Sequence, residues 1–213
     1  MTSQTQTKRA MNNLDQIFTK DAVIFASAYF EYLGEILKKI DPQSIDSFIQ
    51  TLLKARQRGA SIFMIGNGGS ASTASHYAND LTIGTHSYEK PFRVVSLTDN
   101  QAVISAIGND FGFEEIFARQ LQILGKKGDI VVAISASGNS PNLIRAFEYA
   151  KKAGIRTVAI TAFDGGKMKT MADEGIHVPT QDKEYGPAED AHMVLDHLIA
   201  AYLLRLVKNE KNT

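Results

Sequence analysis

The sequence predicts an α/β fold: a parallel β-sheet with helices on both faces, preceded by a helical N-terminal region. Three observations predict it. From residue 60 onward, short β-rich runs alternate with helix-length amphipathic segments, which is the pattern of βαβ units. Two of those runs deliver the chain directly into glycine- and serine-rich loops, where open α/β sheets place their ligands. The first 58 residues read instead as helices.

The elements follow in order. "LDQIFTKDAVIFASAYFEYLGEILKKI" (14–40) carries Ile17, Phe18, Ile24, Phe25, Tyr29, Tyr32, Leu33 and Leu37 at roughly helical spacing. "SIDSFIQTLLKARQRG" (44–59) ends on Gly59, a helix stop. The strands are "SIFMI" (61–65), "RVVSL" (93–97), "DIVVAIS" (129–135), "RTVAIT" (156–161) and "GIHVP" (175–179). Between the third and fourth lies "NLIRAFEYAKKAG" (142–154), an apolar-striped helix closed by a glycine. A last helix, roughly 187–208, carries Leu195, Leu198, Ile199, Tyr202, Leu203 and Leu206 around much of its circumference. Such a helix is either central to a domain or buried between subunits, which predicts a homo-oligomer. The domain division expected is 1–58, helices packing on the core and in the oligomer, and 59–209, the α/β domain.

Composition narrows the function classes. The chain has 213 residues, enough for one large domain, and Lys+Arg and Asp+Glu both number 23, so no net basic charge favours nucleic acid as the ligand. There are no cysteines, which excludes disulfides and thiolate metal sites. The N-terminus "MTSQTQTKRAMNN" is polar and no later run approaches membrane-spanning length, so a cytoplasmic protein with no membrane partner is expected.

"GNGGS" (66–70) follows the first strand and "SASGNS" (135–140) the third. Glycines let backbone N–H groups approach an anion closely, and a following helix N-terminus adds a favourable dipole. Ser70, Ser135, Ser137 and Ser140 supply neutral hydroxyl donors, and neither loop contains lysine or arginine. A phosphate held this way suits a small sugar phosphate. G-x-x-x-x-G-K-[ST] is absent, and "GNGGSA" lacks the sixth-position glycine of a dinucleotide fingerprint, so no nucleotide cofactor is expected.

A helix starting near Ser70 sets His76 and Asp80 one turn apart on one face, half of a metal site or an acid–base pair. "EDAHMVLDH" offers another half: Glu189 and His192 at i,i+3, Asp196 continuing that stripe, His197 beside it. His86 and His177 have no supporting neighbours in the sequence and read as structural or exposed.

"GNGGSASTASH", "SLTDN", "GNDFGFEEIFARQL", "GDIVVAISASGNSPN" and "TAFDGGKMKTMAD" together resemble the sugar isomerase (SIS) domain family, nearest its phosphoheptose isomerase branch. The resemblance runs from about residue 60 to the last helix. It implies a flavodoxin-like five-stranded parallel sheet and a homotetramer with sites at subunit interfaces. It further implies that Ser70, Ser135, Ser137 and Ser140 hold phosphate, while Asn67, Gly68 and Asp99 meet the sugar. His197 matches the family's catalytic histidine, His76 a retained histidine, and Asp80 the position of a catalytic or metal-binding glutamate. Glu189 stands where the family has glutamine. Some members bind zinc at these four places, so a zinc ion on His76, Asp80, Glu189 and His197 is expected.

The departures bear on that expectation. Asp80 is one methylene shorter than glutamate, and Glu189 adds a negative charge. Two carboxylates near one another fit a divalent cation that neutralises them. Along a regular helix, however, Glu189 and His197 are separated by about 12 Å of rise. The activity implied is conversion of sedoheptulose 7-phosphate to D-glycero-D-manno-heptose 7-phosphate through an enediol. Its rivals are a non-catalytic module that binds a phosphosugar or a replication initiator, and an isomerase for another sugar phosphate.

Overall fold

The computed structural model describes residues 11–210. The part of the expected 1–58 region before residue 11 lies outside the described residues. Nine α-helices and five strands are present among the described residues: α1 (Asn13–Ile17), α2 (Ala22–Lys38), α3 (Pro42–Arg58), β1 (Ser61–Gly66), α4 (Gly69–Asn79), β2 (Arg93–Ser96), α5 (Gln101–Phe111), α6 (Ala118–Leu124), β3 (Ile130–Ser135), α7 (Pro141–Ala153), β4 (Arg156–Thr161), α8 (Gly166–Met171), β5 (Glu174–His177) and α9 (Tyr185–Glu210).

The strands form one parallel sheet in the order β2-β1-β3-β4-β5. That is the flavodoxin-like order, and its strand order reverses between β1 and β3. Both faces are covered. Ile62, Met64, Ile130, Val132 and Ile160 point to a core closed by α2, α3, α4 and α9. Their alternates Phe63, Ile65, Val131 and Ala133 point to a second core closed by α5, α6, α7 and α8. Every residue of β3 is buried, as expected of a central strand with helices on both sides.

The expected strand positions hold to within a residue or two. Gly59 and Gly154 end α3 and α7 in the left-handed conformation, φ 66° and 69°, where glycine meets no Cβ penalty. The expected single helix over 14–40 is in fact two. The chain turns extended at Phe18, and Asp21 then caps α2 by accepting from the amides of Val23 and Ile24. An aspartate that satisfies two orphan amides starts a helix more readily than it continues one. Among the described residues, no helix is long and apolar enough to cross a membrane.

Two features place α4 and α9. The turn after α4 widens into a single π-helical turn, Asp80–Gly84. Such turns are frequent at functional sites because they re-aim side chains. Before α9, the fully buried Glu184 accepts from the amides of Asn13 and Gln181 and from the Tyr32 hydroxyl. Tyr29 donates to Asp190 at 2.6 Å. These bonds fix the start of α9 against α1 and α2.

Candidate active site

Both anion loops lie beyond the carboxyl ends of β1 and β3, at the reversal of strand order where α/β sheets bind ligands. The β1 loop turns sharply: a Cβ at Gly66 would stand 2.5 Å from the Ser70 carbonyl oxygen, so only glycine fits. Gly68, at φ 54°, is the N-cap of α4 and has no side chain with which to cap it. Ser140 occupies the N-cap of α7, yet its hydroxyl makes no capping bond to that helix. The start of α4 thus presents first-turn amides without a side-chain cap, an arrangement suited to an anion, whereas in α7 Pro141 carries no N–H and the Leu143 amide donates to Asn142 Oδ1.

The two loops are tied together. Asn67 and Asn142 exchange side-chain amide bonds at 2.9 and 2.8 Å. Asn142 is 2% exposed and is a site residue the sequence reading missed; its signal was the "SPN" that closes the serine loop. Ser135 accepts from the Gly138 amide at 3.1 Å, and Ser137 lies at the rim of the same turn. The third side is "DGG", 164–166. A Cβ at Gly138 would stand 2.0 Å from the Gly165 carbonyl oxygen, and one at Gly166 would stand 2.4 Å from that of Ser137. The loops dovetail backbone against backbone. Ser70 and Ser135 are buried, Ser137 and Ser140 partly so.

Asp99, at the mouth beyond β2, accepts from the hydroxyls of Ser75 and Thr98, the latter at 3.1 Å. It is exposed and joined to α4 one residue before His76.

Where α4 crosses α9, a second cluster forms. His197 Nε2 lies 3.2 Å from His76 Nε2, and His76 Nε2 lies 3.6 Å from Asp80 Oδ2. Of the four residues on which an ion was expected, His76, Asp80 and His197 lie together. Asp196 joins them: one ligand atom from each of His76, Asp80, Asp196 and His197 lies within 4.8 Å of all the others. The two imidazoles reach the surface, Asp80 is half-buried and Asp196 is fully buried. Burial, and secondly the nearby Asp80, push the Asp196 carboxyl up to about 8. Burial also raises the Tyr77 hydroxyl, with Asp196 adding to the effect.

Glu189 is not in this group. α9 is regular from Tyr185, so the two-turn separation from His197 stands. The Glu189 carboxylate instead packs on Gly69, where a Cβ would stand 2.2 Å from its Oε2. It faces the first turn of α4, beside the GNGGS loop, with its pKa raised by burial and then by Asp190. His192 is buried in the core, and burial holds its imidazole down to about 4. His177 bonds the Thr161 hydroxyl at 3.2 Å, and His86 lies 3.4 Å from the Tyr88 hydroxyl.

The donor set can hold a divalent cation. Two ligands on a tetrahedral ion with bonds of about 2.0–2.1 Å stand roughly 3.4 Å apart. The measured 3.2 and 3.6 Å bracket that value.

Comparison with known proteins agrees with this architecture. The family model described as "SIS domain" matches residues 28–162. A phosphoheptose isomerase of Helicobacter pylori (strain P12) is 37% identical over 187 residues, covering 87% of this chain and 93% of that protein. One from Aneurinibacillus thermoaerophilus is 37% identical over 168 residues, covering 78% and 83%. The solved phosphoheptose isomerase of Neisseria gonorrhoeae superposes with a TM-score of 0.75 at 30% identity, over 84% of this chain and 96% of that one. With its anion loops at the strand reversal and its histidine–carboxylate cluster at the α4–α9 crossing, the chain belongs to the SIS-domain family, among the phosphoheptose isomerases.

Proposed function

We propose that this protein is an aldose–ketose isomerase that converts sedoheptulose 7-phosphate to D-glycero-D-manno-heptose 7-phosphate through an enediol. The observation that carries the reading is the meeting of His197, from α9, with His76, from α4, and Asp80, from the π-helical turn that follows it, beside the two glycine- and serine-rich loops. The reaction moves a proton between adjacent carbons and rearranges the protons on their oxygens.

The phosphate enters the cradle of Ser70, Ser135, Ser137 and Ser140 and the uncapped amides at the start of α4. That grip, remote from the reacting carbons, positions them. Asn67, held by Asn142, and Gly68, Asp99 and Glu189 contact the sugar. With no ion on it, His197 takes a proton from one carbon and delivers one to its neighbour, the acid–base role an imidazole suits. Asp80 handles the oxygens' protons, and His76 orients His197.

The fold family implies a zinc ion, and the N2O2 donors at the crossing fit one, with His76, Asp80 and His197 among its holders. When bound it polarises the sugar's carbonyl oxygen. Glu189, the fourth ligand expected from sequence, faces Gly69 within this chain and takes the role of a sugar contact instead. The reading includes a homotetramer with sites at subunit interfaces. The exposed stripe Val194, Leu198 and Tyr202 on α9, with Val23, Ile24 and Phe30 on α2, supports self-association. It also includes a cytoplasmic location, where a charged sugar phosphate is retained.

The test is incubation with sedoheptulose 7-phosphate and a panel of other ketose phosphates in D2O, read by NMR and mass spectrometry. Aldose product with deuterium at C2 is expected. Tight binding of the phosphosugar without turnover of any panel member would favour the non-catalytic module, and preferred turnover of another ketose the alternative substrate.

A further inference from the structure

We propose that Asp196 is the buried donor of a divalent-cation site completed by His76, Asp80 and His197, and that Glu189 takes no part in holding the ion. Asp196 is 0% exposed, and both its carboxylate oxygens lack a hydrogen-bond partner. A carboxyl left so in the interior is poorly placed to carry its charge unless a cation or donors meet it. The ligating atoms nearby are two imidazoles and one further carboxylate, all within 4.8 Å. None of these donates to Asp196, whereas one divalent ion would satisfy it and Asp80 together. Two neutral imidazoles, two carboxylates and one doubly charged ion sum to zero.

Position supports the same assignment. Asp196 and His197 are consecutive on α9, and His76 on α4 stands one turn before Asp80 at the start of the π-helical turn, so the two segments bring paired donors from opposite sides. The 3.2 Å between the two Nε2 atoms already matches the spacing of ligands on one ion. Glu189 sits two turns away on α9 with its carboxylate against Gly69. Reaching the ion would require it to leave that contact and span most of about 12 Å.

The experiment measures metal alone, without substrate. Chelator-stripped protein is titrated with zinc by calorimetry and with cobalt(II) by its visible spectrum. Wild type is expected to take one ion per chain with a tetrahedral cobalt spectrum. Asp196→Asn is expected to lose at least about 100-fold in affinity and the tetrahedral bands, since even outer partners of a ligand contribute 10–100-fold. Glu189→Gln should stay within about threefold of wild type. Retained binding in Asp196→Asn, or loss of it in Glu189→Gln, overturns the assignment, as does wild type that binds no ion. Circular dichroism checks folding; should Asp196→Asn fail to fold, the Glu189→Gln arm still decides. The proposal extends the isomerase reading but fails separately from it: a chain that binds the ion as described and turns over no ketose phosphate refutes only the activity.

Discussion

Gly138→Ala tests the dovetailed loops on which the phosphate cradle depends. Gly138 sits at φ 61°, and an added Cβ would stand 2.0 Å from the Gly165 carbonyl oxygen and 2.7 Å from its carbon. Ordinary contact begins near 3.4 Å, so the "DGG" loop must withdraw by about 1.4 Å. The left-handed backbone costs alanine ~1–2 kcal/mol. Overpacking against main chain adds ~1–3 kcal/mol. At roughly 2–4 °C per kcal/mol for a chain of this size, the melting temperature should fall by about 4–20 °C.

Gly59→Ala is the control. Gly59 has nearly the same φ, 66°, but nothing lies within 4 Å of the Cβ site. It should lose only the backbone part, about 2–8 °C. The assay is thermal unfolding by circular dichroism, paired with KM for sedoheptulose 7-phosphate. KM should rise at least about tenfold in Gly138→Ala, because misplaced loop amides lose an anion contact of ~1.4 kcal/mol or more. Gly59→Ala should leave KM unchanged. Equal melting-temperature losses in the two variants, or an unchanged KM in Gly138→Ala, would refute the reasoning.

Three further outcomes are expected. His197→Ala and Asp80→Ala should each lower kcat by about 10²–10⁴, the usual contribution of a positioned acid or base; a coupled assay showing near-normal turnover would remove them from the chemistry. Because burial holds His192 down to about 4 against 6.5 for an ordinary histidine, its contribution to stability is complete above pH 6.5 and is lost as pH falls towards 4. Wild type should therefore lose ~2 kcal/mol more than His192→Leu between pH 7.5 and pH 5, measured by urea unfolding; parallel losses would show that the imidazole is not held neutral. Asn142→Ala leaves Asn67 without its amide partner, so stability should fall by ~1–3 kcal/mol with a rise in KM; an unchanged KM would show that Asn67 needs no such support.

Much of the fold was legible because its signals are local. Five short β-rich runs separated by helix-length segments specify parallel βαβ units, and glycines at 59 and 154 mark helix ends by a conformation that only they adopt cheaply. The break at 18–21 was harder to read, since apolar spacing continues across it while a single aspartate side chain makes the cap. α8 has six residues, too few to display a period. The resemblance and the GNGGS and SASGNS loops marked out a candidate anion site from local sequence alone. The part played by Asn142 was hidden because its partner is 75 residues away.

The sequence by itself determined the α/β alternation, the two strand-end loops and the i,i+4 pair of His76 and Asp80, because each is a property of neighbours along the chain. Only the tertiary structure decided which residues of α9 face that pair. Helical spacing offers Glu189, His192, Asp196 and His197 as candidates, and the crossing of α4 with α9 selects Asp196 and His197. It leaves Glu189 against Gly69 and buries His192 in the core. A helix's periodicity fixes which of its residues share a face, but the angle and height at which another helix crosses it depend on the packing of the whole sheet between them.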